Sequence, residues 1–190
     1  MKVYIGIVVF VMIMTGLYTY YHGKGRVSPV ASPSASVNVS VTPLQTSSVG
    51  NSVGSNAPEF RLQSYTGVST GIADFRGVEG IVLYFWNVTC STCTNDLSTL
   101  VQLQGQHQNG FLPMAINRAD PSDSAREFSD RAGSTSRFPH LLDPNDSVYS
   151  LYGGSGMPYY VFIDKNGIIQ AIENGAVSQE IIEQDLQKIL

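Results

Sequence analysis

A continuous apolar run followed closely by two cysteines constrains this chain more than any other feature. Residues 81–86 (IVLYFW) are all aliphatic or aromatic, which is typical of a strand covered on both faces of a sheet. Cys90 and Cys93 follow across a short stretch and are the only cysteines in the chain. Apolar residues at helical spacing come next, so the pattern predicts a strand, a turn and a helix with both thiols at its start.

The rest of the domain alternates predicted strands with predicted helices. Further strands are expected at 111–116, 138–142, 159–163 and 168–172, and further helices after Asp120, near Val148 and after Ser178. Asp120 is expected to cap its helix, and Ile181 is expected to face inward from the last one. This order predicts an α/β sandwich of three layers, with a mixed central β-sheet flanked by helices.

The N-terminal residues predict a membrane anchor. No charged side chain occurs from Val3 to Tyr21, and a helix of that length spans about 28 Å, close to the hydrocarbon core of a bilayer. A cleaved signal peptide is the alternative, but its apolar stretch is usually shorter and a small-residue cleavage site follows closely. Here Lys24 and Arg26 follow instead, so residues 1–22 are predicted to form an uncleaved transmembrane helix.

A long uncharged stretch separates this anchor from the domain. No charged residue occurs from Val27 to Asn56, and Ser, Val, Pro and Thr dominate there without a helical or strand period. Residues 23–56 are therefore predicted to be a flexible, disordered linker, and residues 57–190 the folded domain.

Composition excludes several classes of protein. The net charge of −4 provides no basic patch, which argues against a nucleic-acid partner. Two cysteines are too few for a disulfide-rich scaffold. A zinc site would need His22, His107 or His140, whose spacing does not fit a zinc finger, so no metal is expected.

The spacing of the two cysteines predicts redox chemistry. A helix starting at Cys90 directs its positive end at that sulfur, which favours the thiolate and makes Cys90 the expected nucleophile. Cys93, deeper in the helix, is expected to resolve the mixed disulfide. Asp96 lies about one turn further on and can carry the proton of Cys93 if burial raises its pKa; otherwise it is a solvated helix residue.

A second part of the predicted site precedes the strand at 159–163. Pro158 cannot donate a hydrogen bond within a sheet, so a proline here requires a reason. A cis Met157–Pro158 bond would present the backbone of Met157 to an extended peptide beside the thiolate, whereas a trans proline would merely begin the strand. Trp86 and Thr89, on either side of the turn before Cys90, are also predicted to contact substrate.

Three motifs make the resemblance to a known family specific. WNVTCSTC at 86–93, DFRG at 74–77 and GMPYYVFIDKNGII at 156–169 resemble the thioredoxin superfamily. Within that superfamily, residues 57–190 are most similar to the TlpA-, ResA- and DsbE-like membrane-anchored thiol–disulfide oxidoreductases. The resemblance implies a thioredoxin-like fold outside the cytoplasm and active-site roles for Cys90, Cys93, Pro158 and an acid matching Asp96. It implies no cofactor apart from a redox-active Cys90–Cys93 disulfide.

The chain departs from the family pattern close to the cysteines. Thr89 stands where Trp is usual, Thr92 where Pro is usual, and Asp96 where Glu is common. The potentials of such dithiols span about 150 mV, so the direction of electron flow stays open between reductant and oxidant.

The predicted function is disulfide exchange outside the cytoplasm. The expected partners are client proteins with cysteine thiols or disulfides, apocytochrome c among them, and a membrane electron donor or acceptor. Two alternatives remain. A thiol peroxidase would share the APEF opening at 57–60, although Asn87 stands where peroxiredoxins place Thr. A Cu(I) chaperone would bind through both cysteines and Met157.

Overall fold

The computed structural model describes residues 48–108 and 110–190. The predicted anchor at 1–22 and the predicted linker as far as residue 47 lie outside the described residues. Among the helices of the described ranges, none combines the length and the apolar character that crossing a membrane requires.

Strands and helices alternate through the described domain. The strands are β1 (Leu62–Ser64), β2 (Ser69–Thr70), β3 (Gly80–Trp86), β4 (Phe111–Arg118), β5 (His140–Asp143), β6 (Tyr159–Ile163) and β7 (Ile169–Asn174). The α-helices are α1 (Cys93–Gln106), α2 (Ser122–Arg131), α3 (Ser147–Leu151) and α4 (Gln179–Leu186), and a short 3-10 helix spans Ile72–Asp74.

The strands form one mixed sheet in the order β2-β1-β5-β4-β3-β6-β7. The central strand β3 runs parallel to β4 on one side and antiparallel to β6 on the other. Strand β5 runs parallel to β4, and the remaining pairs, β6–β7, β1–β5 and β1–β2, are antiparallel. The predicted α/β architecture with a mixed sheet and flanking helices is confirmed.

Strand β3 is the core of the domain because every one of its residues is buried. Tyr84, near its centre, lies opposite Ala115 of β4 and Tyr160 of β6. Hydrogen-bonded neighbours on both edges and packing on both faces explain why this strand is apolar throughout rather than alternating.

Residues 48–56 differ from the linker expected there. The Asn56 amide donates to the Ser48 carbonyl at 3.0 Å, and the Gly54 amide donates to the Ile169 carbonyl at 2.8 Å. The Ile169 amide in turn donates to the Ser55 carbonyl at 3.0 Å. This part of the predicted linker is therefore bound to the domain, and it escapes a search for apolar periodicity because backbone groups make these contacts.

The last helix also differs in one position from the expectation. Ile182 and Leu186 of α4 are buried, as predicted, but Ile181 is 37% exposed. Neighbouring positions on a helix point about 100° apart, so Ile181 cannot share the inward direction of Ile182.

Candidate active site

The two cysteines form a disulfide at the carboxyl end of β3. Their Cα atoms are 5.5 Å apart. The Cys90 residue is half-buried, whereas Cys93 has no exposed surface. A client sulfur can therefore approach Cys90 and not Cys93.

Helix α1 begins at Cys93 rather than at the predicted Cys90. A turn intervenes, in which the Cys90 amide donates to the Asn87 carbonyl at 3.2 Å. The first helical hydrogen bond at this end runs from the Asp96 amide to the Thr92 carbonyl, at 3.1 Å. Cys90 therefore precedes the helix N-terminus, while Cys93 occupies its first position.

Asp96 is buried beneath the cysteines, with 7% of its surface exposed. Its Oδ2 accepts hydrogen bonds from the Tyr84 hydroxyl at 3.1 Å and from the Thr92 hydroxyl at 3.2 Å. Burial raises the pKa of Asp96 above its usual value, and these hydrogen bonds oppose the rise by stabilising the charged form. The condition set by the sequence, a carboxyl group whose pKa burial raises, is met.

Two tyrosines from neighbouring strands pack beside this carboxylate. The rings of Tyr84 and Tyr160 lie 4.8 Å apart between centroids. Burial, followed by the nearby negative charge of Asp96, raises the pKa of Tyr160, and burial raises that of Tyr84 well above its ordinary value. Both hydroxyls therefore keep their protons at neutral pH. Tyr84 is not among the site residues predicted from the sequence, although it is the one hydroxyl-bearing residue in the apolar run 81–86.

Thr92 connects the exposed sulfur with the carboxylate. Its Oγ1 lies 3.7 Å from the Cys90 Sγ and 3.2 Å from the Asp96 Oδ2. Thr89, by contrast, is exposed and donates its hydroxyl to the Asn87 side-chain oxygen at 2.9 Å. Thr89 is thus accessible from solvent.

Asp120 holds the loop in front of the cysteines. Its Oδ2 accepts hydrogen bonds from the Val88 amide at 2.7 Å and from the Asn117 side-chain amide at 2.9 Å. The predicted helix-capping role of Asp120 is wrong, because α2 begins only at Ser122 with Pro121 at the capping position. The carboxylate instead turns towards the loop after β3, a contact between distant positions that local spacing does not encode.

The Met157–Pro158 peptide bond is cis, as predicted. Pro158 is buried, and Met157 is half-buried against the core. Because Tyr159 at the start of β6 pairs with Phe85 near the end of β3, this bond lies at the edge of the sheet from which the cysteine loop departs. The Tyr149 hydroxyl supports the segment by donating to the Gly156 carbonyl at 2.7 Å.

Trp86 does not lie on the surface that a substrate reaches. Its side chain is fully buried and stacks on Phe128 of α2, with 4.9 Å between ring centroids. The prediction that Trp86 contacts substrate is therefore corrected: α2 covers this face of β3, and the Trp86 side chain belongs to the core.

Among the described residues, the acids and histidines do not form a group that could bind a metal. In residues 48–108 and 110–190, no three His, Cys, Asp or Glu side chains are grouped so that they could hold a metal ion. His140 lies in β5, stacked on Tyr65 and Phe138 with ring centroids 5.5 Å and 5.2 Å away.

The sequence and the fold both resemble known proteins. The model of the AhpC/TSA family matches residues 53–172. The thiol-disulfide oxidoreductase ResA of Geobacillus thermodenitrificans is 34% identical over 138 residues, which cover 72% of this chain and 78% of that protein. The thioredoxin-like protein YneN of Bacillus subtilis is 28% identical over 73% of this chain and 81% of its own length.

A solved structure shows the same architecture. The crystal structure of a putative thiol:disulfide interchange protein DsbE from Chlorobium tepidum superposes with a TM-score of 0.65 at 29% identity. The superposition covers 72% of this chain and 96% of that one.

The fold and the paired cysteines define a thioredoxin-like thiol–disulfide oxidoreductase. The chain belongs to the AhpC/TSA family, and its relatives there include the ResA-like thiol–disulfide oxidoreductases. The resemblance recognised in the sequence is confirmed.

Proposed function

We propose that this oxidoreductase acts outside the cytoplasm on the disulfides of client proteins, apocytochrome c among them, with Cys90 as nucleophile and Cys93 as resolving thiol. One observation carries the assignment of roles: Cys90 is half-exposed, whereas Cys93 is buried above a buried carboxylate. The Cys90 sulfur is accessible to a client disulfide, whereas the Cys93 sulfur is not.

The exchange balances in two steps. The Cys90 thiolate attacks one sulfur of the client disulfide, so that a mixed disulfide forms and the other client sulfur leaves as a thiolate. Cys93 then loses its proton and attacks the Cys90 sulfur, which releases the second client thiolate and closes the Cys90–Cys93 disulfide. Two electrons pass to the client, and a membrane electron donor restores the dithiol.

Asp96 accepts the proton that Cys93 loses. It lies three residues after Cys93 on α1, so the two side chains share one face of the helix. Because burial raises the pKa of Asp96 towards that of a thiol, the mismatch in proton affinity becomes smaller and transfer is easier. This role is the proposed counterpart of the acid found in the family.

The client docks along Thr89, Met157 and Pro158. Thr89 is exposed on one side of Cys90, and the cis Met157–Pro158 bond lies at the neighbouring strand end. An extended client segment can hydrogen-bond to the backbone of Met157 as an added strand.

The anchor and linker place this domain near the membrane. Residues 1–22 are proposed to form the single membrane-spanning helix, and the linker, which carries no charged residue after Arg26, extends from residue 23 towards the domain proposed at 57–190. A flexible chain of this length reaches roughly 30 Å, which lets the domain meet both its clients and its electron donor at the membrane surface.

Trapping of mixed disulfides tests the assignment of the two cysteines. The reduced Cys93→Ser protein should accumulate covalent complexes with disulfide-bonded insulin or disulfide-bonded apocytochrome c, because the resolving step is lost. Cys90→Ser is the matched control and should trap nothing. Complexes that form through Cys93 in the Cys90→Ser protein, or wild-type protein that fails to reduce insulin, would contradict the proposal. Measuring the reduction potential then separates a reductant near thioredoxin from an oxidant near DsbA.

A thiol peroxidase is the second candidate, because the matching family model is that of AhpC/TSA. The Cys90 sulfur lies 3.7 Å from the Thr92 hydroxyl, a neutral group, whereas a peroxidatic thiolate is expected to need a cationic partner. Turnover of hydrogen peroxide faster than insulin reduction would favour the peroxidase.

The Cu(I) chaperone considered from the sequence has its own test. Tight Cu(I) binding by the reduced protein would favour that function.

A further inference from the structure

Thr92 occupies the capping position of α1 without capping it. A threonine there normally accepts a hydrogen bond from a backbone amide of the first turn. In this helix the Thr92 side chain makes no such bond, and its hydroxyl lies instead between the Cys90 sulfur and the Asp96 carboxylate. The hydroxyl is therefore committed to the site rather than to the helix.

We propose that Thr92 is a positioning residue whose hydroxyl couples the protonation of Cys90 to that of Asp96. The proposal rests on the roles proposed above for Cys90 as nucleophile and Asp96 as proton carrier. It adds a connection between them, because the same carboxyl group then serves Cys93 along one helix face and Cys90 through Thr92.

Cys90 and Asp96 are coupled because the Thr92 hydroxyl between them has only one proton to donate. The Thr92 Oγ1 has two neighbours that can accept it, the Cys90 Sγ at 3.7 Å and the Asp96 Oδ2 at 3.2 Å. In the disulfide form the carboxylate is the stronger acceptor and takes the proton. After reduction, a Cys90 thiolate and an Asp96 carboxylate compete for it, so the charged form of each disfavours the charged form of the other.

Protonation of Asp96 resolves the competition. A proton on Oδ2 can be donated to the Thr92 oxygen, and the Thr92 proton is then free to be donated to the Cys90 thiolate. If each proton moves one place along this chain, Asp96 loses one proton and Cys90 gains one. No net charge or atom is left over.

The two phenols near Asp96 do not take part in this exchange. Tyr84 from β3 donates to the same Oδ2, and Tyr160 from β6 packs against Tyr84. Both phenols remain protonated at neutral pH, because burial raises the pKa of each. Cys93 lies on the same helix as Asp96 and is fully buried. Thr92 is thus the group that can change its hydrogen-bond partner between sulfur and carboxylate.

Alkylation of Cys90 in the reduced full-length protein tests the coupling. The iodoacetamide rate at Cys90, followed by mass spectrometry below the pKa of the thiol, reports its thiolate fraction. T92V removes the hydroxyl with little change of shape and should lower that rate about tenfold, as expected for one hydrogen bond to a charged group. T92S keeps the hydroxyl and should stay within about twofold of the wild type. A T92V rate equal to that of the wild type, or T92S as slow as T92V, would overturn the proposal.

A double-mutant cycle tests whether Asp96 acts through Thr92. D96N removes the competing charge and should accelerate alkylation more strongly with Thr92 present than in the T92V background. Equal acceleration in both backgrounds would refute the coupling. Mixed-disulfide trapping by Cys93→Ser reports the proposed function separately, so its success together with equal acceleration would leave that function intact and reject only the role of Thr92.

Discussion

The Tyr84 hydroxyl donates a hydrogen bond to the Asp96 carboxylate at 3.1 Å, joining the middle of the central strand to the first turn of α1. The bond crosses from sheet to helix, and Cys93 at the start of the same helix is fully buried. A buried carboxylate without partners is costly, and this donor is one of the two that make its position tolerable.

Tyr84→Phe should shift the pH dependence of disulfide reduction to higher pH. The Tyr84 hydrogen bond stabilises the charged form of Asp96 and so lowers its pKa, which means that its loss lets the pKa rise further. The variant should also lose about 2 kcal/mol of stability at neutral pH, as expected for a hydrogen bond to a charged group. Insulin-reduction rates across pH and urea unfolding measure the two effects.

Tyr152→Phe is the matched control for that variant. It also deletes a buried tyrosine hydroxyl, which donates to the Pro58 carbonyl at 2.6 Å, away from Asp96. It should lower stability by about 1 kcal/mol and leave the pH profile unchanged. A pH profile that shifts equally in both variants would show that general loosening of the core, and not Asp96, causes the shift.

Asp96→Asn should make the folding stability of the oxidised protein less sensitive to rising pH. Because folding raises the pKa of Asp96, the native state holds its proton over a pH range in which the unfolded state has lost it. Stability from this group therefore falls as pH rises from the unfolded-state pKa through the folded-state pKa. Relative to wild type, the variant should therefore gain stability as the pH rises above the unfolded-state pKa of Asp96, 3.8. Urea unfolding at several pH values measures the difference, and parallel curves would contradict it.

Asp120→Ala should loosen the loop that carries Cys90. The substitution leaves the Val88 amide and the Asn117 side-chain amide without their shared acceptor. A loss of about 2 kcal/mol in unfolding free energy is expected, with faster hydrogen exchange at the Val88 amide. Asp123→Ala, at an exposed position in the first turn of α2, is the control and should leave that amide protected.

His140 should make the protein lose stability in acid. Burial lowers the pKa of His140 from 6.5 to about 4, so the unfolded state binds a proton that the native state refuses. Stability is then complete above the unfolded-state pKa and declines by roughly 3 kcal/mol as pH falls from about 6.5 to about 4. His140→Phe should flatten this part of the stability curve. An unchanged slope between pH 7 and pH 4 would assign the acid sensitivity to other groups.

Local patterns in the sequence were sufficient to predict much of the secondary structure around the dithiol. The apolar run at 81–86, the two cysteines and the helical spacing after them predict a buried strand, a turn and a helix, because these features depend on neighbours along the chain. The proline before β6 likewise predicted the cis bond that the structure contains. The burial of Asp96 and the direction of its pKa shift followed once the helix was placed against the sheet.

Tertiary structure alone decided which side chains meet. The contacts of Tyr84 with Asp96 and of Asp120 with Val88 join positions that are distant along the chain, and only the order of strands in the sheet brings them together. The same packing buries Trp86 under α2, although the sequence placed it among the substrate contacts. The sequence by itself determined the dithiol, whereas the packing of helix against sheet determined which groups surround it, since hydrogen bonding and burial depend on distance in space.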